Sequence, residues 1–107
     1  MARLLAHCSD LHLGRPGADA AARALCATLL DAGVDHMLIT GDITQSGRGQ
    51  EFAQFLEIFA AFCGRMTLVP GNHDRIGGGV AHHMMPGGAR VAVDTPPGLY
   101  IVRVDSS

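Results

Sequence analysis

The sequence has no tryptophan and no lysine; all eight positive charges are arginine, which reads as a genome composition effect. Lysine's absence removes any Gly-Lys-Ser/Thr phosphate loop, and neither Gly-x-Gly-x-x-Gly after the first strand nor a Gly-x-Ser-x-Gly elbow is present. No run approaches the roughly 18 consecutive apolar residues of a membrane span. A net charge of −2 leaves no basic footprint for nucleic acid or an anionic membrane. Three cysteines (Cys8, Cys26, Cys63) are odd in number, widely spaced and without Cys-x-x-Cys, which argues against a disulfide framework and a structural zinc site. Each falls in an apolar segment, so they are expected as buried, reduced thiols of a cytoplasmic protein. His7 interrupts the first apolar stretch before a targeting h-region of about 7 residues can form.

What is present suits one small domain. The chain has 107 residues, 48% hydrophobic and 17% charged, enough for a core and too apolar for disorder. Arg3 to Cys8 is a compact apolar run, expected as a buried strand. Pro16-Gly17 marks a turn, Asp19 is the expected helix N-cap, and Ala21, Leu25, Leu29 and Ala32 recur at helical spacing up to Gly33. His36 to Thr40 is a second strand. Phe52, Phe55, Leu56, Phe59 and Phe62 form the apolar stripe of a second helix that Gly64 ends, and Met66 to Val69 is a third strand. Strand, helix, strand, helix, strand is a βαβαβ unit, and hence an α/β fold with a parallel sheet. Beyond it, residues 77–98 are Gly- and Pro-rich and read as loop with a weak strand at Arg90 to Val93; Leu99 to Val104 alternates apolar and polar and is expected as a strand.

In a parallel α/β sheet, functional groups gather at the carboxyl ends of the strands. The three strands here lead directly into Asp10-Leu11-His12, Gly41-Asp42 and Gly71-Asn72-His73-Asp74. Asp10 and His12, two residues apart, point to the same side of an extended backbone and can hold one metal ion. Asp42 can bridge two ions, and Asn72 offers a neutral carbonyl oxygen. Mixed oxygen and nitrogen donors suit Mn, Fe or Zn. Two ions about 3.5–4 Å apart clamp a phosphoryl group and generate hydroxide at neutral pH. His73 beside Asp74 reads as an imidazole held by a carboxylate, suited to protonating a leaving oxygen. Any one of these residues alone is an ordinary turn former; three polar strand ends in register are much more specific.

Together and in this order, Asp10-Leu11-His12-Leu13, Gly41-Asp42 and Gly71-Asn72-His73-Asp74 resemble the calcineurin-like metallophosphoesterases. Ile39-Thr40-Gly41-Asp42-Ile43-Thr44 looks most like the bacterial class III cyclic-nucleotide phosphodiesterase branch. The resemblance implies a two-sheet α/β/β/α sandwich, of which residues 1–107 form a single partial domain, truncated to roughly the N-terminal half. It also implies a dinuclear metal centre: Asp10 and His12 on the first ion, Asp42 on both, Asn72 on the second. His73 contacts the phosphate and assists the leaving group, with Asp74 positioning it, while metal-bound hydroxide hydrolyses a phosphomono- or phosphodiester.

The chain departs from that pattern in lacking the family's three later histidines, so it is expected to be weakly active or inactive as it stands. His82 and His83 are candidates to fill the gap, although an exposed pair in a loop is more often solvated. His7, inside the first strand, and His36, at the start of the second, lie far from the carboxyl ends and read as packing or surface residues. Gly77-Gly78-Gly79 reads as a flexible loop rather than a phosphate cradle. The substrate class implied is a small phosphate ester, with a cyclic nucleotide as the narrower choice, and neither membrane nor nucleic acid is implied. Two alternatives stay open: a non-catalytic metal-binding or interaction module that retains a half-site, and a homo-oligomer that lends the missing edge and ligands.

Overall fold

A computed structural model describes residues 3–77 and 79–107. Strands β1 (Leu5–Cys8), β2 (His36–Thr40) and β3 (Met66–Val69) form a parallel sheet in the order β1-β2-β3. Helices α1 (Ala18–Asp31) and α2 (Gly49–Ile58) are the crossovers, and a 3-10 turn at Ala60–Phe62 extends the second. The expected α/β architecture is therefore present.

Register explains how the helices cover the sheet. Ala6 pairs with Met37 and Met37 with Met66, so Ala6, Cys8, Met37, Ile39, Met66 and Leu68 share one face. Those residues belong to the same apolar cluster as Ala22 and Cys26 of α1 and Phe55, Ile58, Phe59 and Phe62 of the second crossover. Both crossovers thus pack on one face, as like-handed connections between successive neighbours require. Phe55, Phe59 and Phe62 are fully buried, and removing each such ring from water contributes about 1.5–3 kcal/mol. Leu56, at the edge of the expected stripe, is instead exposed.

The opposite face carries a polar ladder. The His7 ring meets the Thr40 hydroxyl at 2.7 Å, and the buried His36 ring meets the Thr67 hydroxyl at 2.7 Å. Strands β4 (Val91–Asp94) and β5 (Ile101–Val104) form a separate antiparallel hairpin that docks here. Thr67 donates to Asp94 at 2.8 Å, and the Arg103 guanidinium joins Asp94 at 2.9 Å to the Leu68 and Met84 carbonyls at 3.0 and 3.1 Å. The hairpin turns Val91, Val93, Val102 and Val104 outward, all about half exposed.

Several expectations need correction. Asp19 is not the N-cap: Gly17 takes that position with φ +85°, and Asp19 sits in the first turn, accepting from Arg23 at 2.7 Å. An i, i+4 ion pair and a left-handed glycine replace the expected side-chain cap. Cys26 is buried and Cys8 partly so, but Cys63 is exposed, because it follows the turn that ends the second crossover. Residues 77–98 are not all loop, since a short helix, α3 (Val80–Met84), packs Val80 and Met84 into the core. It carries His82 and His83 on its exposed side. Among the described residues, no helix is long and apolar enough to cross a membrane.

Candidate metal centre

The loops after β1 and β2 are zipped together by backbone hydrogen bonds. Asp10 donates to the Gly41 carbonyl at 3.0 Å, His12 to Asp42 at 3.0 Å, and Leu13 to Ile43 at 2.9 Å; Gln45 returns a bond to Leu13 at 2.9 Å. This zipper sets the backbone conformation of the site residues. Among the described residues, Asp10 (φ 60°), His12 (φ 49°) and Asp42 (φ 52°) are the non-glycine residues in left-handed conformations. For an L-residue that conformation costs about 1–2 kcal/mol. Asp10 and His12 therefore do converge, but through two left-handed turns rather than through the extended backbone expected from their spacing.

Convergence is close. One ligand atom from each of Asp10, His12 and Asp42 lies within 4.8 Å of the others. His12 Nε2 is 3.5 Å from Asp10 Oδ1. The Ser9 hydroxyl donates to Asp10 Oδ2 at 2.7 Å and holds that carboxyl below its usual range; slight desolvation opposes this, and His12 adds to it. His12 is mostly buried, and its Nδ1 has no hydrogen-bond partner. An orphaned buried nitrogen costs about 1–3 kcal/mol. Two carboxylates and an under-satisfied imidazole within bonding reach of one point fit a divalent ion of the Mn, Fe or Zn type.

The loop after β3 closes on this group from the other side. Gly71 lies against Asp42, where a Cβ would come within 2.6 Å of the Asp42 nitrogen and strike its carboxylate. The first glycine of Gly71-Asn72-His73-Asp74 is thus a close-approach glycine. The His73 N–H donates to Asp42 Oδ1 at 3.0 Å, and its ring packs edge-on against the His12 ring at 4.9 Å between centroids. His73 Nδ1 donates to the Gln45 carbonyl at 2.7 Å.

Asp74 is placed differently from expectation. It does not hold the His73 ring, whose Nδ1 partner is Gln45. Its fully buried carboxylate instead accepts from Thr44 N and Thr44 Oγ1, both at 2.8 Å, from Gly71 N at 2.8 Å, and from Ile43 N at 3.3 Å. Asn72 is exposed and lines a cavity of about 550 Å³ between Thr40, Gly41 and Pro70 on one side and β5 with Ser106 and Ser107 on the other.

The metal-competent group found among the described residues leaves out His7, His36, His82 and His83. His7 and His36 are committed to Thr40 and Thr67, and His82 and His83 sit on α3. Of the Gly77-Gly78-Gly79 run, Gly78 lies outside the described residues; Gly77 packs against the backbone of Gly47. Sequence reasoning missed Thr44, Gln45 and Ser9, whose contacts with the site are local or backbone-mediated and leave no signal in residue spacing.

Residues 4–100 match a family model described as calcineurin-like phosphoesterase. No curated protein matches the chain.

Proposed function

The chain belongs to the calcineurin-like phosphoesterases, a family of metal-dependent hydrolases, and from that premise we propose that its loops form a phosphoester-hydrolysing centre. The observation that carries this reading is the convergence of Asp10, His12 and Asp42 on three left-handed backbone residues. In this proposal Asp10 and His12 would hold a first divalent ion, Asp42 would contribute to it and to a second, and Asn72 would contribute to the second. Ions of the Mn, Fe or Zn type would supply Lewis acidity at phosphorus and a nucleophile from water.

The chain's own groups do the rest. The Gln45 carbonyl accepts from His73 Nδ1–H, which leaves Nε2 as the ring nitrogen that, when it too carries a proton, donates to a phosphate oxygen or passes that proton to the leaving group. Asp74 acts as a positioning residue through the loops. The substrate class is a small phosphate ester, and the phrase Ile39-Thr40-Gly41-Asp42-Ile43-Thr44 favours a cyclic-nucleotide phosphodiester. Free thiols at Cys8, Cys26 and Cys63 support a reducing, cytoplasmic setting.

Hydrolysis of bis(p-nitrophenyl) phosphate and p-nitrophenyl phosphate by the chain with added Mn²⁺, beside Asp42→Asn, tests the proposal. Low turnover lost in Asp42→Asn supports it; turnover unchanged by the substitution sinks it. One observation favours a second reading: the three converging side chains suffice for a single ion. One Mn²⁺ bound per chain with no hydrolysis would identify a non-catalytic metal-binding module.

A further inference from the structure

We propose that Thr44 is a positioning residue of the metal centre, acting as the keystone of a buried clamp with Asp74; this rests on the phosphoesterase reading only for its effect on the metal. Thr44 and Asp74 are both fully buried, thirty residues apart, and belong to different loops. Thr44 uses its backbone N–H and its hydroxyl on the same oxygen, Asp74 Oδ1, at 2.8 Å each. The hydroxyl oxygen also accepts from Gly47 N at 3.0 Å, which folds residues 44–47 into a tight turn.

The other Asp74 oxygen reaches back to the strand ends. It accepts from Ile43 N and Gly71 N, next to Asp42 and Asn72 respectively. One carboxylate therefore ties the loop after β2 to the loop after β3 at the points where their site residues emerge. Gly47 and Gly77 allow this approach: a Cβ on Gly47 would lie 2.6 Å from the Gly77 nitrogen.

Two dimensions of the site depend on the clamp. The first is the seat of the Asp42 carboxylate, which takes its hydrogen bond from His73 N at 3.0 Å. The second is the His73 ring, whose Nδ1 is held by the carbonyl of Gln45, the residue after Thr44. Thr44's side-chain hydrogen bonds go to Asp74 and Gly47, not to a metal ligand's side chain or the His73 ring. It acts through Asp74 and through the backbone it fixes.

The test has arms with and without metal. In the metal-free wild type, hydrogen exchange should show the Ile43, Thr44, Gly47 and Gly71 amides protected to the level of β2; exchange as fast as exposed loop amides would overturn the clamp. Nitrogen-15 NMR should show His73 as the Nδ1–H tautomer with a slowly exchanging ring proton. Thr44→Val keeps the shape and removes the hydroxyl, and should release that proton, while Thr44→Ser should retain it. With Mn²⁺, Thr44→Val should raise the dissociation constant about 10–100-fold, and Thr44→Ser should restore it. Phe62→Leu, remote from the loops, controls for lost stability. If Thr44→Val and Phe62→Leu have the same Mn²⁺ affinity and the His73 proton persists, the proposal is wrong. If the wild type binds no Mn²⁺, the phosphoesterase reading fails, and exchange and His73 NMR still decide the clamp.

Discussion

Asp74 and Asp94 anchor two polar networks of opposite design. Asp74 is a hub: fully buried, it collects four donors from two loops, three of them backbone N–H groups. Asp94 is a link in a series that runs from His36 through Thr67 to Asp94, then through Arg103 to two carbonyls, and it remains a quarter exposed. The hub lies under the candidate site and fixes distances between loops. The series lies on the other face and fastens a hairpin to a sheet. A hub concentrates the loss when its centre is removed, because every donor is orphaned together. A series loses one joint and can be partly re-solvated from its exposed end.

The largest expected effect comes from removing the hub. Asp74→Ala orphans the Ile43, Thr44 and Gly71 N–H groups and the Thr44 hydroxyl. At about 1–3 kcal/mol for each buried unsatisfied donor, with partial relaxation, the expected loss is about 3–5 kcal/mol. Small domains have about 5–15 kcal/mol in all, so urea denaturation should find the variant close to unfolding. Asp94→Ala, measured alongside, should cost clearly less. Equal losses would erase the distinction between hub and series.

Gly71→Ala tests the hub from its metal side, with a smaller effect on folding. The new methyl meets the Asp42 nitrogen and carboxylate. Overpacking of this kind costs about 1–3 kcal/mol, and displacement of Asp42 should weaken Mn²⁺ binding in the same titration. Full Mn²⁺ affinity would mean that the loops after β2 and β3 are less tightly coupled than their hydrogen bonds indicate.

The order of strands and helices was legible because apolar runs and the helical stripe of Phe55, Phe59 and Phe62 carry their period in the chain itself. The site loops were legible from position alone, since Asp10, Asp42 and Asn72 follow directly on strands. What joins those loops was not. Asp74 reads as a neighbour of His73, yet three of its four hydrogen bonds come from Ile43 and Thr44, some thirty residues away, and three of the four donors are backbone N–H groups. Left-handed conformations at Asp10, His12 and Asp42 arise from the zipper between two loops, which no local propensity encodes. The helix α3 was hidden by its length and glycine-rich setting; burial of Val80 and Met84 stabilises it rather than propensity.

The series network should show itself through pH. Burial pushes the His36 imidazole below its ordinary value of 6.5, with Arg65 adding to this and Asp94 opposing it. Lowering pH therefore protonates His36 more readily in the unfolded chain than in the folded one. Its contribution is complete above about pH 6.5 and declines as pH falls through that value towards the lower folded one. His36→Gln, which can still donate to Thr67, should flatten the stability profile between about pH 5 and 7. An unchanged slope would mean that His36 plays no part in the pH response.

The smallest expected effect has the opposite sign. Asp10 has a largely exposed side chain, so its left-handed backbone is not offset by burial. Asp10→Gly relieves that conformation, at about 1–2 kcal/mol, against the extra freedom glycine gives the unfolded chain, about 0.5–1 kcal/mol. The metal-free variant should therefore be more stable by a few tenths of a kcal/mol, up to about 1, while its Mn²⁺ affinity falls. A residue that weakens the fold and strengthens ion binding is held in place for the ion. If Asp10→Gly lowers both, the strain at Asp10 belongs to the zipper between the loops, and the hub and the zipper form one structural unit.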